Sequence, residues 1–184
     1  IKAVDDSDVC LLVIDANSGI ESQDLAILQM IERKHKGLVI LVNKWDMVQK
    51  ETNTMRDVEA KIREKIAPFR DVPIIFISAL EKTRIFQAME EAIKVFENKQ
   101  TKVSTSKLNE VMQEALASYH PPAVRGSHIK IKYVTQMPAS VPTFVFFTNY
   151  PNDIREAYKN YLENKLREAF PLSGVPINIF FRKK

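Results

Sequence analysis

A chain of 184 residues with 45% hydrophobic content has room for one domain or two small ones, each with a packed core. Its net charge is +4, no apolar run approaches the length of a membrane helix, and no secretory signal is read in it, so a cytoplasmic setting is expected. The single cysteine, Cys10, lies inside an apolar run and reads as a small core hydrophobe in a reducing compartment; His35, His120 and His128 are too scattered for a metal site, and no metal ligand is assigned.

Taken in chain order, a short helical segment from Ile1 to Asp8 leads into the apolar run Val9 to Ile14, which ends at Asp15-Ala16. Leu25, Leu28 and Ile31 then share one face of a helix that opens at Glu21 or Ser22, and Gly37 is expected to supply its left-handed cap. Leu38 to Val42 is a continuous β-branched and aliphatic run, the pattern of a strand buried on both faces of a parallel sheet. Met55, Val58, Ile62, Ile66 and Phe69 recur at helical spacing until Pro68 and Pro73 break the pattern. Ile74 to Ile77 gives a third strand, and Ile85, Met89, Ala92, Ile93 and Phe96 a third helical stripe, expected to be core. Strand and helix alternate three times, which implies an α/β fold with a parallel sheet.

The loop after the second strand carries the most specific chemistry. Asn43-Lys44-Trp45-Asp46 sits at the carboxyl end of Leu38 to Val42, where open α/β sheets bind ligands. A carboxylate is a pair of acceptors, and guanine offers two adjacent donors at N1 and N2, so Asp46 can take both. Adenine has an acceptor at N1 and would leave that carboxylate unpaired in a desolvated pocket, a costly mismatch. Asp46 is therefore the expected selectivity residue, Asn43 a bridge between the base edge and neighbouring backbone, and the methylene stem of Lys44 a flat cover for the base. Asn, Lys and Asp are also ordinary turn residues. A second loop, Ser78-Ala79-Leu80, at the end of the third strand is positioned to converge on the same base.

Phosphoryl transfer needs a glycine-rich phosphate loop with its lysine, and a Ser or Thr and an Asp for magnesium. With only Gly19, Gly37, Gly126 and Gly174, no such loop can be drawn. The expectation is the back half of a GTP-binding domain, cut after the segment that would carry switch II, with no catalytic residue of its own.

A polar stretch from Asn98 to Ser106 marks a boundary, and the division is placed at 1–103 and 104–184. Charge splits there: 16 basic against 17 acidic residues before it, a net of −1, and 11 against 6 after it, a net of +5. The second part reads helix, strand, strand, helix, strand. Leu108, Val111, Met112, Ala115 and Leu116 mark a helix ended by Pro121-Pro122. Ile129, Ile131 and Tyr133 alternate with Lys130 and Lys132, so one face is expected to be buried and the other basic. Thr143 to Thr148 is a second strand, Ile154 to Phe170 a strongly striped helix, and Ile177 to Phe181 a last strand before Arg182-Lys183-Lys184. A small α+β domain with its helices on one side of the sheet follows.

Several segments together resemble the Der (EngA) family of bacterial GTPases: Leu12-Val13-Ile14-Asp15-Ala16 with Gly19-Ile20 and Gln23-Asp24, Val42-Asn43-Lys44-Trp45-Asp46, Ile77-Ser78-Ala79-Leu80, the helix Tyr161 to Phe170, and Gly174-Val175-Pro176-Ile177 with the ending Phe181-Arg182-Lys183-Lys184. The resemblance covers essentially the whole chain and implies two consecutive GTP-binding domains followed by a KH-like domain. It further implies GTP or GDP as the bound nucleotide, with Mg2+ only in the intact parent, and a backbone N–H of the Ser78-Ala79 loop donated to guanine O6. It implies a role in maturation of the large ribosomal subunit, with that subunit or its rRNA and the upstream GTP-binding domains as partners. Glu81-Lys82-Thr83-Arg84 departs from the glycine-containing turn of such GTPases.

No two glycines have the Gly-x-x-Gly spacing by which KH domains clamp a nucleic-acid backbone, so the usual clamp is excluded. What remains is a basic surface, with Arg125, Lys130, Lys132, Lys159, Lys165, Arg167, Arg182, Lys183 and Lys184 as candidates for RNA or ribosome contact. Two functional classes stay open: a regulatory GTPase whose front half supplies the chemistry, or a non-enzymatic RNA- or protein-binding module with a vestigial guanine loop.

Overall fold

The computed structural model describes residues 2–49, 54–123, 126 and 128–184. The chain forms two compact units: the first comprises the residues up to Lys99 together with Ser173–Pro176, the second Gln100–Leu172 with Ile177–Lys184. Among the described residues no helix is long and apolar enough to cross a membrane.

In the first unit α1 (Lys2–Asp5) precedes β1 (Val9–Asp15), α2 (Ser22–Arg33), β2 (Gly37–Asn43), α3 (Thr54–Lys65), β3 (Ile74–Phe76) and α4 (Ile85–Lys99). The three strands pair in parallel in the order β1-β2-β3, with Asp15 beside Asn43 and Val42 beside Phe76. The continuous apolar run has put β2 at the centre, where Leu38, Val39, Ile40 and Val42 are completely buried. Leu12, Ile14, Leu28, Ile31, Ile62, Ile66 and Phe69 pack into the core on this sheet.

Two local expectations are corrected. The left-handed position after α2 is His35, at φ 54°, and not Gly37. Gly37 is instead the first residue of β2, where an added Cβ would meet Val95 Cγ1 at 2.7 Å and Val9 Cγ2 at 3.0 Å; what is needed there is room, not a turn. The α4 stripe is likewise not core in this structure. Phe86 is 79% exposed and Met89, Ile93 and Phe96 are also open to solvent, while Ala88 and Val95 carry the buried face. Leu11 and Val13 of β1 are exposed as well, and among the named strands the far edge of β1 has no partner.

The four residues Ser173–Pro176 fill a slot in the first unit. Gly174, at φ +73°, accepts from the Leu38 N–H at 2.8 Å and donates to the Asp71 carbonyl at 2.6 Å, and its missing side chain leaves space for Val95 and Pro73. Nothing in the division of the sequence at residues 103 and 104 announces this return.

In the second unit α5 (Thr105–Ser118), capped by Ser104 accepting from the Lys107 N–H, is followed by β4 (Ile131–Met137), β5 (Thr143–Thr148), α6 (Glu156–Ala169) and β6 (Asn178–Lys183). The sheet order is β4-β5-β6, antiparallel then parallel. One face buries Val134, Phe144, Phe146 and Ile179 against Leu108, Met112, Tyr158, Leu162 and Leu166 of the two helices. The α/β first unit and the α+β second unit with one helical layer agree with the fold read from the sequence.

The alternation expected through Ile129, Ile131 and Tyr133 does not survive into β4. A bulge between Ile131 and Tyr133 shifts the register, so that Ile131 faces Thr148 while Tyr133 faces Phe147. Val134 takes the core position, and Tyr133 turns to the face away from the helices. Asn109 of α5 braces the strand edge by donating to the Val134 carbonyl and accepting from its N–H, both at 2.9 Å.

Candidate functional site: a base-reading edge and a basic module

The ends of β1, β2 and β3 place three loops side by side. Parallel pairing sets Asp15 against Asn43, and the Ile77 N–H bonded to the Val42 carbonyl at 2.8 Å carries the third loop to the same edge. Asn43 then joins two of the loops directly, its Oδ1 accepting from the Ala79 N–H at 3.0 Å. One backbone N–H of the Ser78-Ala79-Leu80 loop, that of Ala79, is thus engaged by Asn43 here.

Lys44 turns the chain with a left-handed backbone, φ 63°, and its ammonium pairs with Asp15 at 2.7 Å. The hydrogen bond from Lys44 holds the Asp15 carboxyl below the usual carboxylate range, helped by the Asn17 N–H at 2.9 Å, and Asp15 in turn raises the Lys44 ammonium above its ordinary value. Trp45 plugs the underside of the loop, 8% exposed and edge-on to Phe76 at 4.5 Å. Asp46 follows in a single 3-10 turn, Trp45–Met47. Its Oδ1 is buried with no hydrogen-bond partner among the described residues. Such an oxygen asks for a donor, and the N1 and N2 hydrogens of guanine are of the right kind; the residues at this edge fit the base.

The third loop closes on itself without glycine. Ser78 and Thr83 exchange backbone hydrogen bonds at 2.9 and 3.3 Å, the Ser78 hydroxyl accepts from the Glu81 N–H at 3.1 Å, and Lys82 and Arg84 both adopt φ 58°. Ser78 is buried and Leu80 is 87% exposed. A pocket of about 260 Å³ opens beside Asp46 and Ser78, lined also by Trp45, Phe76, Thr83 and Arg84. Asn43, Lys44, Ala79 and Leu80 do not line it, so this pocket and the base-reading edge only overlap. Among the described residues no cluster of three His, Cys, Asp or Glu could hold a metal ion, and the sequence carries no glycine-rich phosphate loop.

The nine basic candidates of the second unit divide sharply. On α6, Lys159 pairs with Glu156 at 3.4 Å, Lys165 with Glu168 at 2.6 Å and Arg167 with Glu163 at 2.9 Å, each within the helix. Their charge is locally cancelled. Lys130, Lys132, Arg182, Lys183 and Lys184 are exposed and gathered by the β4-β5-β6 register, and among the described residues none makes an ion pair; Arg125 lies outside the described residues. Sequence reasoning missed Asp15, whose place at the end of β1 was the available signal, and it missed the outward turn of Tyr133, which only the bulge produces.

Residues 1–134 match the family model of the elongation factor Tu GTP-binding domain, and residues 102–182 that of the KH-domain-like region of EngA bacterial GTPase enzymes, C-terminal. Where the two overlap, the chain folds with the second unit. Over its full length the chain is 50% identical to GTPase Der of Flavobacterium johnsoniae and 52% identical to GTPase Der of Bacteroides fragilis, strain ATCC 25285, covering 42% and 43% of those proteins. Among solved structures, an Aquifex aeolicus Era variant bound to GDP.AlF4- is 17% identical with a TM-score of 0.46, over 100% of this chain and 67% of that one. The fold and the family match over residues 1–134 make the first unit part of a GTP-binding domain of the elongation factor Tu type, joined to a KH-like module. The chain belongs to the Der (EngA) family of bacterial GTPases, and it spans less than half the length of the curated relatives it matches.

Proposed function

We propose that this chain supplies the base-reading edge and the KH-like module of a GTP-hydrolysing protein that acts in assembly of the large ribosomal subunit, with the phosphate- and magnesium-binding residues provided by an upstream part of the same protein. The buried, unpartnered Oδ1 of Asp46 is the observation that carries the nucleotide reading. The Asn43–Ala79 bond supports it by holding the two loops at one edge. Support for an upstream contribution comes from the open edge of β1 and the apolar side chains of β1 and α4 that lie beside no core: a further strand and helix packed there would cover both. The ribosomal role rests on kinship with proteins named GTPase Der.

Phosphate and magnesium contacts supply much of the affinity for a nucleotide. The 184-residue chain alone is therefore expected to hydrolyse no GTP and to give little heat with GDP in calorimetry, whereas the full-length protein does both. Sub-micromolar GDP affinity for this chain by itself would overturn the division of labour. A full-length protein that binds no guanine nucleotide would instead favour an interaction module with a vestigial loop.

A further inference from the structure

We propose that the outward face of the β4-β5-β6 sheet, at the end marked by Tyr133, Phe147, Phe180, Arg182 and Lys184, is a stacking platform for single-stranded RNA. The proposal rests on the reading that the second unit meets RNA, and it says which face does so and in what form.

The pairing register sets Tyr133, Phe147 and Arg182 in one row across the three strands, on the face opposite the helices. The Tyr133 and Phe147 rings are stacked, 4.5 Å between centroids and 17° between planes, and the Lys184 ammonium lies 5.1 Å from the Tyr133 centroid. Phe180 stands on the same face of β6, 51% exposed. Aromatic surface left in water is unfavourable unless it is used. The charge around it has one sign. All six carboxylates between residues 104 and 184 lie on the helices or in the turn before α6: Glu110, Glu114, Asp153, Glu156, Glu163 and Glu168. The three strands hold none, and their ends carry Lys130, Lys132, Arg182, Lys183 and Lys184.

A polyanion is thus attracted to the sheet side and not to the helical side, where each base of α6 already has its acid. Aromatic rings among unpaired cations select the occupant further. Unpaired bases offer π faces to such rings while their phosphates reach the lysines, as in single-strand binding surfaces. A duplex keeps its base faces covered and could use only the charge. An acidic protein surface would satisfy the cations but leave the rings without a partner.

The test is fluorescence anisotropy of the 184-residue chain with a labelled, unstructured oligoribonucleotide of about 12 nucleotides, inside the site-size range of such surfaces. Phe180→Ala and Tyr133→Leu are each expected to weaken binding about tenfold, the scale of one lost base stack, while Tyr133→Phe retains it. Phe180 is exposed, so its substitution tests the face even if Tyr133→Leu disturbs the fold. Arg182→Gln should lower the salt slope by about one phosphate contact, and the pair Lys159→Gln with Lys165→Gln should change nothing. If the wild-type chain binds no RNA, both this inference and the RNA reading fall. If it binds RNA but ignores both aromatic variants, takes a duplex equally well, or loses RNA to polyglutamate as readily as to unlabelled RNA, the inference alone falls.

Discussion

Asp46 keeps one carboxylate oxygen out of water and without a donor. An unmet acceptor of this kind costs roughly 1–3 kcal/mol, so the residue is poised to gain whenever a matching pair of donors arrives. In the full-length protein, Asp46→Asn should trade guanine for xanthine, because the amide offers a donor where xanthine presents a carbonyl. Competition between GDP and XDP reads the switch directly, and an unchanged guanine preference would refute the role given to Asp46. Lys44 bears on the same edge in a way its sequence position conceals. Its ammonium is committed to Asp15, which leaves its methylenes beside the base-reading turn. Below the ordinary carboxylate range Asp15 takes up its proton as pH falls through its lowered value, and that restraint on Lys44 goes with it.

At the scale of elements, backbone room governs several positions where side-chain pattern is silent. Gly174 needs its positive φ, and a Cβ there would stand 2.5 Å from Val95 Cγ2 and 2.8 Å from the Leu38 carbonyl. A side chain can move aside; a carbonyl in the central strand cannot. Gly174→Ala should therefore cost about 2–3 kcal/mol in urea unfolding, more than Gly37→Ala, whose clashes are with the side chains of Val95 and Val9. Equal costs would show that the slot is softer than its distances imply. The apolar run of β2 and the stripes of α5 and α6 were legible because period and burial coincide in them. The bulge in β4 was not, since one extra residue reverses every later side chain without altering composition. His35 was missed for a related reason: a non-glycine in the left-handed region leaves no compositional mark.

Over the whole molecule, charge and apolar surface are unevenly shared. The first part is nearly neutral at −1 but leaves Phe86, Met89, Ile93, Leu11 and Val13 exposed, whereas the second carries +5 and packs its helices well. Helical periodicity correctly marked the α4 stripe as apolar, but periodicity cannot say whether anything covers it. The isolated chain should bind an apolar dye such as ANS, and replacing Phe86, Met89 and Ile93 together by Ser should abolish most of that signal without lowering the unfolding midpoint. A dye signal that survives the triple substitution would locate the open surface elsewhere.

The slot filled by Gly174 also sets an order of events. Chains fold as they emerge, amino end first. Leu38, Asp71 and Val95 are all made before α5, yet the residue that engages them follows α6. The unit begun first thus waits for residues made after α6, and a ribosome paused anywhere from α5 to α6 holds a first unit that is still unfinished.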